Sequence, residues 1–321
     1  MPGPKAETAP LTAGAATLGG ASAVSRQPDG AYLEDPIGEG IAPFGSDLLG
    51  VRRLIGYLGL TLALMPLQAV LVMLGAGAAE RLPVFYHRLC CRLMGIDIVT
   101  VGAMSRHRPT LFVSNHTSYL DISVLGALIP GSFVAKAEVA QWPVYGWLAK
   151  LQRTVFVDRK RHTSHIQRDQ LQQRLAARDN LILFPEGTSN DGNRVLPFRS
   201  ALLSVAESPA ATPSGESGLV IQPVSVAYVA LNGIPMGHGL RPLVAWYGDM
   251  TLGPHLWQFS RLGKVTVVVE FHPPVDLKDA GSRKDLTRYC LGLVAGGVER
   301  ALTGRALADQ AGAPEPAAGG H

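Results

Sequence analysis

Two short segments of the 321-residue chain hold residue types that can move a proton and receive an anion. They are Asn115-His116-Thr117-Ser118-Tyr119-Leu120-Asp121 and Phe184-Pro185-Glu186-Gly187-Thr188-Ser189. A neutral imidazole is a base near physiological pH, and a carboxylate on its other ring nitrogen fixes the tautomer, so His116 with Asp121 is a candidate base and its support. Gly187, after Pro185 has stopped the preceding run, allows a turn whose backbone N–H groups can receive a phosphate or carboxylate. Taken singly, each segment also has a plainer reading: His116 bonded to a loop carbonyl with Asp121 solvated, and an ordinary β-turn around Glu186. The flanking residues bear on this choice. Residues 110–114 and 180–184 read as buried strands, and Asn115 reads as the N-cap of a helix beginning near Thr117. His116 is thereby placed at a strand-to-helix junction, outside the carboxyl end of a strand, where α/β sheets present their chemistry.

Two further segments complete a recognisable order: Phe156-Val157-Asp158-Arg159 lies between the first pair, and Ile221-Gln222-Pro223-Val224 follows them. On these four motifs the chain resembles the glycerolipid acyltransferases, over about residues 85 to 300. The bacterial type of that family acylates lysophosphatidic acid. The resemblance implies transfer of a fatty acyl group from a thioester, acyl-CoA or acyl carrier protein, to the free hydroxyl of a lysolipid, with no cofactor and no metal. His116 would act as the base and Asp121 as its partner, while Glu186, Gly187 and Thr188 would shape the acceptor site. Arg159 offers a planar fork for a phosphate, with Lys160 or Arg199 in support. The chain departs from the family at two places: Ser189 stands where many members carry arginine, and Arg199-Ser200-Ala201 stands where many have Lys-x-Gly. Lysophosphatidic acid leads as acceptor because of Arg159 and its basic neighbourhood, and Ser189 keeps open a lysolipid without phosphate, such as lyso-ornithine lipid. A non-catalytic lipid-binding protein of the same fold is a third reading, opposed by the intact His116 and Asp121. A serine hydrolase finds no Gly-x-Ser-x-Gly elbow, and an ATP-dependent reaction no Gly-x4-Gly-Lys-Ser/Thr loop.

Charge is unevenly spread. Residues 1–50 hold two basic against six acidic residues, a balance of −4, which leaves +8 for the rest. The densest basic stretch, Lys150 to Arg178, lacks the interleaved aromatics of a nucleic-acid groove, so a nucleic-acid partner is not expected. An anionic membrane surface or substrate suits it better, with part of it the solvated face of a helix. Three cysteines cannot build a secreted disulfide framework and point to a reducing compartment. His162 and His165, closely spaced but without a cysteine, read as surface residues rather than metal ligands.

Along the chain, residues 1–46 are rich in Ala, Gly, Pro, Ser and Thr and read as a disordered tail. From Leu54 to Ala79 there are 26 residues without a charge. That exceeds the ~20 needed to cross a bilayer core, so residues 47–95 are expected to form a membrane-attached helical segment. Pro66 leaves either one kinked spanning helix or a re-entrant hairpin. The basic amphipathic stretch from Leu82 to Met94 would lie among lipid head groups or dock on the domain. Residues 96–302 are expected to be the acyltransferase domain, and 303–321 a second disordered tail. Strand-like runs at 96–101, 111–114, 133–135, 154–157, 181–184, 219–229, 243–247 and 265–271 alternate with helix-like runs near 117–128, 143–151, 163–177, 198–207 and 283–301. The expected fold is α/β, a largely parallel central sheet flanked by helices. The domain would face the cytoplasm, at the inner membrane if the source is bacterial.

Overall fold

The computed structural model describes residues 45–142, 145–157, 171, 173–207 and 219–306. The expected tails up to residue 44 and from 307, Arg159, Lys160, the pair His162 and His165, and most of the helix expected at 163–177 lie outside the described residues.

The chain opens with helices α1 (Asp47–Met73) and α2 (Ala78–Met94). There follow β1 (Ile96–Gly102), β2 (Thr110–Ser114), α3 (Leu120–Leu128), β3 (Ser132–Lys136), α4 (Tyr145–Leu151), β4 (Val155–Val157) and β5 (Leu181–Leu183). After these come β6 (Val220–Leu231), β7 (Ile234–Pro235), α5 (Leu252–Arg261), β8 (Val265–Phe271), β9 (Val275–Asp276), α6 (Leu277–Ala280) and α7 (Arg283–Leu302). Among the described residues one sheet runs in the order β1-β8-β6-β2-β5-β3-β4, with β7 and β9 attached to β6. Strands β6, β2, β5, β3 and β4 are parallel to their neighbours, β8 is antiparallel to β6, and β1 is parallel to β8. The sheet is thus largely parallel, as expected.

Every residue of β2 is buried, which is why its sequence is a continuous apolar run rather than an alternating one. Leu111 and Val113 pack with Leu181, Leu183 and Ile221 of the neighbouring strands and with Leu286, Cys290 and Val294 of α7. Parallel pairing of Val113 with Leu183 sets the carboxyl ends of β2 and β5 side by side, so two motifs about 70 residues apart in sequence leave the sheet together.

Three elements differ from the sequence expectation. Residues 243–247 are not a strand: a 3-10 helix at His238–Leu243 leads into an irregular stretch in which the N–H groups of Val244 and Ala245 bond the Arg241 carbonyl and that of Trp246 bonds Thr117 O. Burial alone makes the run apolar, and a short apolar run carries no period by which to tell strand from loop. Residues 200–207 form a 3-10 rather than an α-helix. Helix α5 was not expected, because Gly253 and Pro254 disguise it. Both fall in the first turn, where backbone N–H groups have no intrahelical acceptor and proline costs little.

Helix α1 runs unbroken through Pro66 and is long and apolar enough to cross a membrane. It is nevertheless fastened to the domain near both ends. Arg53 is buried and donates to the carbonyls of Ser260 (3.3 Å), Leu262 (2.6 Å) and Gly263 (3.3 Å), at the carboxyl end of α5, where a cation meets unpaired carbonyls and the helix dipole. About one and a half turns from the other end, Gln68 Nε2 donates to Ala79 O and Leu151 O, both at 2.9 Å. The opposite face leaves Leu48, Ile55, Leu58 and Leu62 more than half exposed, a stripe suited to lipid. The turn that reverses the chain falls at 74–77, near the end of the uncharged run rather than at Pro66. Helix α2 docks on α3, with Arg88 Nε donating to Ala127 O (2.8 Å). Its amino end is tied down by Glu80, which pairs with Arg108 (3.0 Å) and Arg153 (3.3 Å), while Arg153 also pairs with Asp179 (2.5 Å). Arg153 and Arg174, both from the basic stretch, are therefore neutralised within the fold by Asp179.

Candidate active site

Asn115 ends β2 with its side chain turned onto β6. Its Oδ1 accepts from Val226 N–H and its Nδ2 donates to Val226 O, both at 2.8 Å, so a side-chain amide extends the ladder by one rung. It is not the helix cap expected from sequence, since α3 begins at Leu120. The intervening turn is held by Asp121, whose fully buried carboxylate Oδ2 accepts from Thr117 N–H (2.7 Å) and Ser118 N–H (2.9 Å). A first-turn carboxylate reaching back to the N–H groups before the helix satisfies donors that would otherwise be orphaned.

The same oxygen lies 2.9 Å from His116 Nδ1, and Asp121 Oδ1 accepts from the Tyr228 hydroxyl at 2.8 Å. Three donors converge on this carboxylate before the imidazole is counted, which is the environment of an ionised, acceptor-only group. His116 must then donate from Nδ1, leaving the Nε2 lone pair free for a substrate proton. The ring is stacked on Phe184, with centroids 4.2 Å apart, which supports one of its faces.

Glu186 joins the two motifs. Its Oε1 accepts from His116 N–H (2.9 Å), and its Oε2 accepts from Asn190 Nδ2 (2.7 Å) and Leu196 N–H (3.2 Å). Asn190 in turn donates from N and Nδ2 to the His116 carbonyl, both at 3.2 Å. The base is thus gripped at its N–H, its carbonyl and its ring. Gly187 turns the chain beside it with φ +70°, a conformation that side chains resist, and donates to Phe184 O at 3.1 Å.

His116 opens onto a cavity of about 520 Å3, within the range of small-molecule sites. Phe184, Gly187, Thr188 and Ser189 line it near the base, and Trp246 and Tyr247 form a facing wall. Away from His116 the walls are apolar side chains of α1, α2 and α4, such as Leu64, Met65, Leu82 and Leu148. His87, buried between α2 and α3, donates from Nε2 to Gln152 Oε1 (2.7 Å), and burial pushes its pKa down to about 4. The deep end is therefore uncharged near neutrality and fits a hydrocarbon chain.

The sequence pattern of the acyltransferase family matches residues 97–227, which contain His116, Asp121, Phe184, Glu186 and Asn190. The chain is 45 % identical to the lyso-ornithine lipid O-acyltransferase of Brucella abortus, over 77 % of this chain and 93 % of that protein. The chain belongs to the glycerolipid acyltransferase family. This acyltransferase is also 32 % identical to the 1-acyl-sn-glycerol-3-phosphate acyltransferase of Neisseria gonorrhoeae, over 62 % of its own length and 72 % of the relative's. In fold it is similar to the crystal structure of the 1-acyl-sn-glycerophosphate acyltransferase of Thermotoga maritima, with a TM-score of 0.51 at 21 % identity, covering 82 % of this chain and 100 % of that one.

Of the residues singled out from the acyltransferase's sequence, His116, Gly187 and Thr188 line the cavity, and Asp121 stands directly behind His116. Glu186 is not a lining residue; its carboxylate accepts from the backbone N–H groups of His116 and Leu196 and from the Asn190 side chain. Arg199 is exposed and is not a lining residue; its contribution is a backbone N–H donated to Pro185 O (2.9 Å). The N–H groups of Thr117 and Ser118 are consumed by Asp121 and are not free to hold an oxyanion. Tyr228, Phe184 and Asn190 were missed. A tyrosine hydroxyl inside the apolar run of β6 was the one available signal, since a buried phenol needs a partner.

Burial pushes the Glu186 pKa up to about 7 from an ordinary 4.5, although the donors from His116, Asn190 and Leu196 pull it down. Between those two values the folded acyltransferase holds this proton more tightly than the unfolded chain does, so this group's contribution to stability is lost as pH rises through that window. Melting curves from pH 4.5 to 8 should show this decline, and Glu186→Gln should flatten it. A Glu186→Gln variant with the slope of the parent would contradict the assignment.

Proposed function

We propose that the protein is a membrane-bound O-acyltransferase that moves a fatty acyl group from acyl-CoA or acyl carrier protein to the free hydroxyl of lyso-ornithine lipid. The observation that carries the acceptor is Ser189, which lines the cavity beside His116 at the position where many family members place arginine. Among the described lining residues Lys136 is the one lysine or arginine, so none of them offers the guanidinium fork that favours a phosphate. Relatives of the same printed activity in Brucella abortus and Rhizobium meliloti, at 45 % and 39 % identity, support this order of acceptors. Lysophosphatidic acid is the second reading, favoured by Lys136 and by the Neisseria relative.

In the proposed reaction His116 Nε2 takes the proton of the acceptor hydroxyl as its oxygen attacks the thioester carbonyl. A free hydroxyl is too weak an acid to ionise beforehand, so removal of the proton accompanies attack. The C–O bond forms, the C–S bond breaks, and the imidazolium returns its proton to the leaving thiolate. Asp121 stabilises the imidazolium through Nδ1, and the developing oxyanion is assigned to Thr188 and Ser189, which line the cavity. The donor's acyl chain occupies the apolar end of the cavity against α1 and α2. In this reading the domain faces the cytoplasm, on the side of both thioester donors.

The test offers purified enzyme lyso-ornithine lipid and lysophosphatidic acid, each with both donors, and identifies products by mass spectrometry. The ornithine acceptor should show a kcat/KM at least about tenfold higher. Preferential acylation of lysophosphatidic acid would overturn this choice of acceptor.

A further inference from the structure

We propose that His255 is a positioning residue for the transfer step: through the Tyr119 hydroxyl and the Pro242 carbonyl it holds the aromatic wall of the cavity in place opposite His116. The proposal rests on acyl transfer at His116 and is independent of which lysolipid is the acceptor.

Two segments bound the space beside the base, and neither is a regular element. One is the turn at 117–119 that follows His116, and the other is the irregular stretch after Leu243 that supplies Trp246, Tyr247 and Gly248 to the lining. Tyr119 is itself a lining residue, and its ring meets that of Trp246 edge-on, with centroids 6.1 Å apart. Trp246 N–H donates to Thr117 O at 3.0 Å, so the wall begins one residue from the base. A site carried on loops is less precise than one held by a helix or strand, and this wall needs such a support.

Helix α5 provides it. The His255 ring is buried, with Nε2 3.3 Å from Pro242 O and Nδ1 3.1 Å from the Tyr119 hydroxyl. A carbonyl only accepts, so Nε2 carries the hydrogen, and the bare Nδ1 of the neutral ring accepts from Tyr119. Burial holds the His255 pKa below its ordinary value, against the opposing pull of the Pro242 and Ala245 carbonyls, which keeps the ring neutral near pH 7. One imidazole thus bonds the base motif through one nitrogen and the stretch leading to the wall through the other. The next residue, Leu256, lines the cavity, and about two turns further on Arg53 of α1 grips the end of the helix. The acceptor hydroxyl and the thioester carbonyl must meet between these segments, where a displacement of about 1 Å costs up to ~10²-fold in rate.

The test measures transfer to whichever lysolipid the parent acylates, varying acceptor and donor separately, with a melting temperature for each variant. Tyr119→Phe keeps the ring against Trp246 and removes the hydroxyl. His255→Gln places an amide near Nε2, within reach of Pro242 O, and leaves nothing at Nδ1. Each should lower kcat about tenfold with the donor KM within about twofold of the parent. Because both break the same bond, the double variant should stay within about threefold of the slower single one, whereas independent losses would multiply to about a hundredfold. His255→Asn, whose amide reaches the Nδ1 position, should restore part of the lost rate. Parental kcat in folded Tyr119→Phe, or losses that multiply, would overturn the proposal. Should His255→Gln fail to fold, Tyr119→Phe decides by the same criterion. A parent that acylates neither lysolipid would overturn the reaction itself, a result distinct from variants that match an active parent.

Discussion

His116→Ala should abolish turnover, to below about 10⁻⁴ of the parent rate, without unfolding the protein. The imidazole makes its polar contacts at Nδ1 to Asp121 and by stacking on Phe184, and its ring is partly exposed to the cavity rather than part of the core. The alanine keeps the backbone N–H that Glu186 accepts and the carbonyl that Asn190 holds, so both motifs remain joined. What disappears is the one nitrogen positioned to take the hydroxyl proton. Melting temperature and product formation, measured on the same preparation, check this. Near-parental turnover by folded His116→Ala would remove the mechanism.

Asp121→Asn should lower kcat by roughly 10²–10⁴ with little change in KM. The asparagine carbonyl can replace Oδ2 for the N–H groups of Thr117 and Ser118 and for Nδ1, while its NH2 meets the Tyr228 oxygen, which accepts as well as it donates. The turn therefore keeps its shape, and the loss is the negative charge that stabilises the imidazolium. If kcat is unchanged, Asp121 shapes the turn and takes no part in the proton transfer.

The part of this site that lies within one turn of chain was legible in the sequence. His116 and Asp121 are five residues apart, and one local turn brings them together whatever the rest of the fold does. The alternation of apolar runs was enough for a largely parallel sheet, because buried parallel strands are recognisable as continuous apolar segments. What escaped was set by distant contacts. Tyr228 reaches Asp121 across 107 residues, and Asn115 reaches Val226 across 111, so neither partner has a local signature. Asn115 was read as a cap because its residue type suits that role, yet the turn N–H groups were already satisfied from the helix side by Asp121. Glu186 was visible as a motif residue, but burial decides whether a carboxylate faces a ligand or a backbone, and burial is a property of the assembled sheet.

Helix α1 supplies Tyr57, Thr61, Leu64, Met65 and Gln68 to the wall of the cavity onto which His116 opens. The lipid-facing helix and the catalytic domain are therefore not separable modules. Cutting the chain after Met73 to obtain a water-soluble enzyme would strip one side from the chain-binding channel and release the Arg53 clamp on α5. Such a fragment would keep every residue of the dyad and both motifs, and would still be a poor enzyme for long-chain donors.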